Sequence, residues 1–183
     1  MNLVDLMRGR VSPAQLVDPG PGSAQLKLIL EAGSRAPDHG RLHPWRFIVI
    51  EGEARHRLGG ILARALEQRE PGASAAALDK ERAKPLRSPL VIVVAAVVTE
   101  TPKVPGVEQI VAAGAAAQNI VLASHALGFG AFWRTGAPAY DPEVKRALGL
   151  DPGDSIVAFL HIGTIAAPGK PKAPEIESVT RRW

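Results

Sequence analysis

The chain has 183 residues, 46% of them hydrophobic, enough apolar material for one packed domain. It contains no cysteine, which excludes disulfides, thiolate metal sites, iron–sulfur clusters and cysteine nucleophiles, and fits a reducing cytoplasm. The formal charge of +4 comes from 22 Lys and Arg against 18 Asp and Glu, spread along the chain, a balance that suits an anionic small ligand better than nucleic acid.

In chain order, residues 1–10 carry Asp5, Arg8 and Arg10 and no long apolar core, so a short helix over Asn2 to Arg8 is expected and a secretion signal is not. Asp18 to Gly22 reads as a turn. Ser23 is the expected cap of a helix through Leu26, Ile29 and Leu30 that stops at Gly33. The segment from Arg35 to Arg46 then gathers two histidines, three arginines and a Trp, with Pro37 and Pro44 fixing its backbone. A rigid cationic loop of this kind suits an anionic planar ligand. Arg46 to Ile50 is the first expected strand, followed by helices over Ala54 to Glu67 and Ala75 to Lys84, closed by Pro85 and Pro89.

Leu90 to Val98 is apolar throughout, but at nine residues it falls well short of the roughly twenty that span a membrane, so it reads as a buried strand. Thr99 to Gly106, with Pro102 and Pro105, is a loop leading to a long Ala-rich core helix from Val107 to Leu127. Gly128 and Gly130 end that helix and start a strand at Ala131 to Trp133. Asp141 caps a helix to Leu148 with Pro142 in its first turn, and Ser155 to Ile162 is the last strand. The tail from about residue 166, with Pro168, Pro171 and Pro174, reads as extended and suited to packing on a partner subunit. The expected class is α+β, a helix-flanked sheet in a single domain over residues 1–183.

Several residues carry possible chemistry. Arg10 and Ser12, two apart after a short helix, offer a guanidinium fork and a hydroxyl to a phosphate, or else form a solvated turn. His39 and His43 have the spacing of two zinc ligands, but Gly40 and Pro44 disfavour a helix there, so no metal site is expected. His39 alone reads as a loop histidine bonded to Asp38 or backbone. Ser124 and His125 are adjacent on a helix and point about 100° apart, which argues against a nucleophile–base pair. Phe47 and Phe132 read as core. Gly128-Phe129-Gly130 allows close backbone approach, but there is no dinucleotide-binding glycine fingerprint.

Taken together, Arg10-Val11-Ser12, Arg35-Ala36-Pro37-Asp38-His39, His43-Pro44-Trp45-Arg46-Phe47 and Gly128-Phe129-Gly130-Ala131-Phe132-Trp133-Arg134-Thr135-Gly136 resemble the nitroreductase family, in particular its short NAD(P)H nitroreductase branch. The resemblance runs from residue 1 to about 165 in the same order. It implies an α+β sandwich around a mainly antiparallel sheet, and an obligate homodimer holding FMN in its interface. By that resemblance Arg10, Val11, Ser12, Arg35, His39, Trp133, Arg134 and Thr135 contact FMN, with Arg35 or His39 reaching across the interface. Ala123, Ser124, His125, Ala126, Leu127 and Gly128 correspond to a nicotinamide-nucleotide contact and read equally as the buried end of a helix. The family often has a second Arg where this chain has Val11. The implied activity is ping-pong hydride transfer from NADH or NADPH through FMN to nitroaromatic or quinone-like acceptors, with no side chain as catalyst and no metal, nucleic acid or membrane partner. The alternative is an FMN-binding or redox-sensing protein without turnover.

Overall fold

The computed structural model describes residues 2–100, 103–170 and 175–183. The expectations that rest on Pro102, Pro171 and Pro174 lie outside those residues. Twelve regular elements follow among the described residues: α1 (Leu3–Gly9), β1 (Gln15–Val17), α2 (Ser23–Gly33), β2 (Trp45–Glu51), α3 (Glu53–Arg69), α4 (Ala75–Ala83), β3 (Leu90–Ala96), α5 (Gly106–Ala126), β4 (Gly130–Arg134), α6 (Pro142–Ala147), β5 (Ser155–Ala167) and α7 (Ile176–Val179). The class is α+β, and every strand pair is antiparallel.

The sheet runs β1-β5-β3-β2, with β4 also paired to β5. All seven residues of β3 are buried, which is why its sequence is apolar without alternation. Ile92, Val94 and Ala96 pack on one face with α2 and α5, while Val91, Val93 and Ala95 pack on the other with α3 and α6. Ala112, Ala113, Ala116 and Ala117 turn a small-residue face of α5 to the sheet, so the helix sits close to it. No helix among the described residues is long and apolar enough to cross a membrane.

Four expectations need correction. A strand, β1, precedes the one expected first; only Leu16 of its three residues is buried, and pairing with β5 rather than local propensity holds it. The last strand does not end at Ile162 but runs to Ala167, because Gly163 lets it pass where a Cβ would meet Pro89 Cδ at 2.6 Å and the Val17 carbonyl oxygen at 2.9 Å. Gly22, not Ser23, caps α2, and the Gln25 side chain accepts the Gly22 N–H at 3.0 Å. The tail is not extended throughout, since α7 forms within it. Asp141 behaves as expected, accepting the backbone N–H groups of Glu143 and Val144 at the start of α6.

Helices α3 and α4 touch where Gly59 lies against the Arg82 carbonyl, well inside the distance a Cβ would tolerate, whereas a Cβ at neighbouring Gly60 would meet only Arg64 at 3.8 Å. Gly59→Ala should therefore destabilise the protein by about 1–3 kcal/mol through forced separation of the helices. Gly60→Ala should stabilise it by about 0.5–1 kcal/mol through helix propensity alone. Urea unfolding of both variants checks the pair, and equal effects would contradict the packing described.

Candidate functional site

Side chains on β4 alternate across the sheet. Trp133 packs with the α2 and α5 layer, while Phe132 and Arg134 face the other way. Register places Phe132 opposite His161 of β5 and Arg134 opposite Phe159. Across β5 from Phe132, His161 also pairs with Val91 of β3, so its position is fixed from both sides. These residues and Arg87 border a cavity of about 400 Å³ floored by Leu58, Leu62 and Val91. The same Arg87, Phe132, Arg134 and His161 also wall a second cavity of about 460 Å³ that reaches Pro13 and Ala14.

Arg87 ends a 3-10 turn over Lys84–Arg87 that Pro85 helps to set, and Ser88 follows it. The Arg134 guanidinium stacks over the Phe132 ring with Cζ 4.0 Å from its centroid. Partial burial, and then Arg87 nearby, pull the Arg134 pKa below its ordinary value. The His161 side chain lies among these cations at 5% exposure, 2.9 Å from the Ser88 hydroxyl. Burial first, then Arg134 and Arg87, push its pKa down to about 4, so the imidazole is neutral at physiological pH.

The expected FMN contacts fall in two groups. Arg10 closes α1 in extended backbone, and the half-buried Val11 and exposed Ser12 lead into Pro13 at the second cavity. The Ser12 carbonyl packs on Gly169 so tightly that a Cβ there is excluded, which ties the tail to this segment. Thr135 is exposed just beyond Arg134. Arg35 and His39 lie on the opposite face of the sheet, after α2, where His39 Nδ1 is 2.6 Å from Glu108 Oε2 of α5. One chain therefore does not gather them beside Arg134. The partner of His39 is Glu108 and not Asp38, whose carboxylate instead accepts the His43 backbone N–H at 2.6 Å. Arg41 and His43 both hold positive φ, a strained backbone that sets this loop.

Ala123, Ser124, His125 and Ala126 form the end of α5, with Leu127 and Gly128 closing it. Ser124 is fully buried and its hydroxyl donates to the Ile120 carbonyl at 2.8 Å, so its bonding is spent within the helix. Sequence reasoning missed Arg87, Ser88 and His161. The available signal for His161 was one ionisable residue inside an otherwise apolar strand, opposite an aromatic.

His161 gives a sign to the acid response. Its folded pKa near 4 lies below the ordinary 6.5, so the unfolded chain takes up a proton that the folded chain refuses between those values. Stability should fall as pH drops from about 6.5 to about 4, by on the order of 3 kcal/mol. His161→Gln should flatten that limb in denaturation measured across the window, and an unchanged limb would contradict the buried neutral imidazole.

Comparison with known proteins agrees with this architecture. A model of the nitroreductase family matches residues 8–164. The Escherichia coli K12 protein named "Putative NAD(P)H nitroreductase YdjA" is 44% identical over 169 residues, covering 90% of this chain and 88% of its own. A nitroreductase-like family protein from Bacillus cereus superposes with a TM-score of 0.82 at 27% identity, covering 100% of this chain and 96% of its own. A Desulfovibrio desulfuricans protein described as a "putative nitroreductase in complex with fmn" superposes at 0.74 with 27% identity, covering 100% of this chain and 97% of its own. The paired cationic cavities on an all-antiparallel sheet, and a match over most of the length, lead to one conclusion: the chain belongs to the nitroreductase family.

Proposed function

We propose that this protein is an FMN-dependent NAD(P)H oxidoreductase that acts as a cytoplasmic homodimer and passes hydride by a ping-pong route to nitroaromatic or quinone-like acceptors. The observation that carries the reading is the pair Arg87 and Arg134: two guanidiniums wall both cavities, and among the described residues neither has a carboxylate partner. Uncompensated cations beside an open cavity suit a phosphorylated, electron-accepting ring. The FMN found with the Desulfovibrio desulfuricans relative, and the NAD(P)H in the name of YdjA, support the same cofactor and donor here.

In this reading Arg10 and Ser12 hold the phosphate, and Val11 contributes only backbone there. Arg134 and Thr135 border the ring and Trp133 adjoins it through its backbone, while Arg35 and His39 come from a second subunit, since each chain keeps them on its far face. Bound FMN supplies the two-electron exchange between nicotinamide and acceptor. The protein positions the reactants and sets the local charge; its cations favour the form of the ring that carries negative charge. The stretch Ala123 to Gly128 contributes a rigid helix end beside the nucleotide.

A second subunit also answers a packing question. Leu3, Val4 and Met7 of α1 and Val107 and Val111 of α5 are more than half exposed, on two helices that contact each other. Such a surface is costly to leave in water. Arg10→Ala should give a dimer with FMN affinity lowered by about 10-fold or more, as expected for losing a charge-assisted bond. Val111→Asp should give a monomer that loses FMN altogether. Sedimentation together with flavin content separates the two, and full flavin occupancy in both variants would overturn the proposed site.

A further inference from the structure

The Ser88 hydroxyl has one proton and two neighbours, the Leu90 carbonyl oxygen at 2.9 Å and His161 Nδ1 at 2.9 Å. A carbonyl only accepts, so the hydroxyl donates to Leu90 and must accept from the imidazole. That assigns the proton to Nδ1 and leaves Nε2 as a lone-pair acceptor. Nε2 has no hydrogen-bond partner among the described residues, and the one buried side-chain atom without a partner is Glu81 Oε2, so Nε2 is not sealed off. His161 borders both cavities.

The same wall carries Arg87 and Arg134, which repel one another and have no counter-ion among the described residues. One cation held over the Phe132 ring, a second exposed cation beside it and one neutral acceptor make a pattern with a definite complement. The apolar floor of Leu58, Leu62 and Val91 adds a requirement for a flat or apolar body.

We propose that Arg87, Arg134 and His161 form a subsite for a planar anion that also carries an O–H or N–H donor on the same face of its ring edge, with the anion on the guanidiniums and the donor on His161 Nε2. Ser88 is the positioning residue that holds the imidazole in the accepting tautomer. The subsite stands on this charge pattern whether or not the protein binds FMN. Where FMN is bound, the occupant is either the flavin's own pyrimidine edge or a separate acidic molecule beside it.

Calorimetry with 3-hydroxybenzoate, benzoate and benzamide, on protein as purified and on FMN-saturated protein, tests the subsite and identifies its source. We expect 3-hydroxybenzoate to bind most tightly, benzoate several-fold more weakly and benzamide weakest. Arg87→Met and Arg134→Met should each weaken the acids about 10-fold or more, the loss expected for a bond to a charged group. His161→Phe should erase the preference for the hydroxyl, and His161→Gln, which keeps an acceptor, should restore part of it. Binding to FMN-saturated protein assigns the subsite to a separate acid. Displacement of the acids by FMN, with FMN affinity lowered in both Arg variants, assigns it to the flavin. Arg-dependent acid binding by a protein that takes no FMN would uphold the subsite and remove the flavin reading. If both Arg variants keep wild-type affinity for the acids and for FMN, or if the acids bind no better than benzamide and FMN affinity is unaltered, the subsite is overturned.

Discussion

The β5 ladder is the constraint on which the site depends. Its 13 residues pair with β3, β4 and β1, so its register is set from both edges. Because side chains alternate with a period of two, a slip of one residue would send His161 to the opposite layer and bring Leu160 or Ile162 to the cavities. The same ladder fixes β4, and so decides that Phe132 and Arg134 face the cavities while Trp133 joins the α2 and α5 core. The positions of Arg134 and His161 are properties of the sheet backbone, which relaxes little when a ligand arrives, while Arg87 comes from the 3-10 turn that precedes β3.

That rigidity explains how the chain tolerates an arrangement costly in isolation. A partly desolvated Arg134 and an exposed Arg87 share a wall, with a histidine that stays neutral between them. An ion pair would relieve the cost, and elsewhere the chain uses one: Arg69 meets buried Asp141 at 2.5 Å. At the cavities Lys84 is paired with Glu81, but among the described residues Arg87 and Arg134 are not paired with a carboxylate, so their positive potential remains available to a ligand. Arg35 and His39 lie on the far layer, where His39 is tied to Glu108. On the proposed reading a complete site draws on two subunits, and the exposed apolar faces of α1 and α5 are what join them.

Much of this was legible in the residues. The apolar run from Leu90 gave β3, which ends at Ala96 two residues short of the run's end, the alanine-rich stretch gave α5, and Asp141-Pro142 gave the start of α6, because each signal is local. Strand β1 was not legible: Gln15-Leu16-Val17 has one buried side chain, and its partner lies about 150 positions away. Gly163 looked like a strand end, since only the three-dimensional approach of Pro89 shows why a glycine continues the strand there. The family motifs singled out Arg134, which lies on the wall of both cavities. Arg87 was hidden between two prolines that read as punctuation, and His161 inside an apolar run, because a cluster assembled by strand register leaves no spacing in the sequence.

The most direct test of the account is anaerobic titration of the purified protein with NADH and with NADPH while the flavin absorbance near about 450 nm is followed. The account predicts a yellow protein whose band is bleached by at least one of the two nucleotides and returns when a quinone or nitroaromatic is added. A protein that remains colourless with added FMN, or a bound flavin that neither nucleotide reduces, would contradict it.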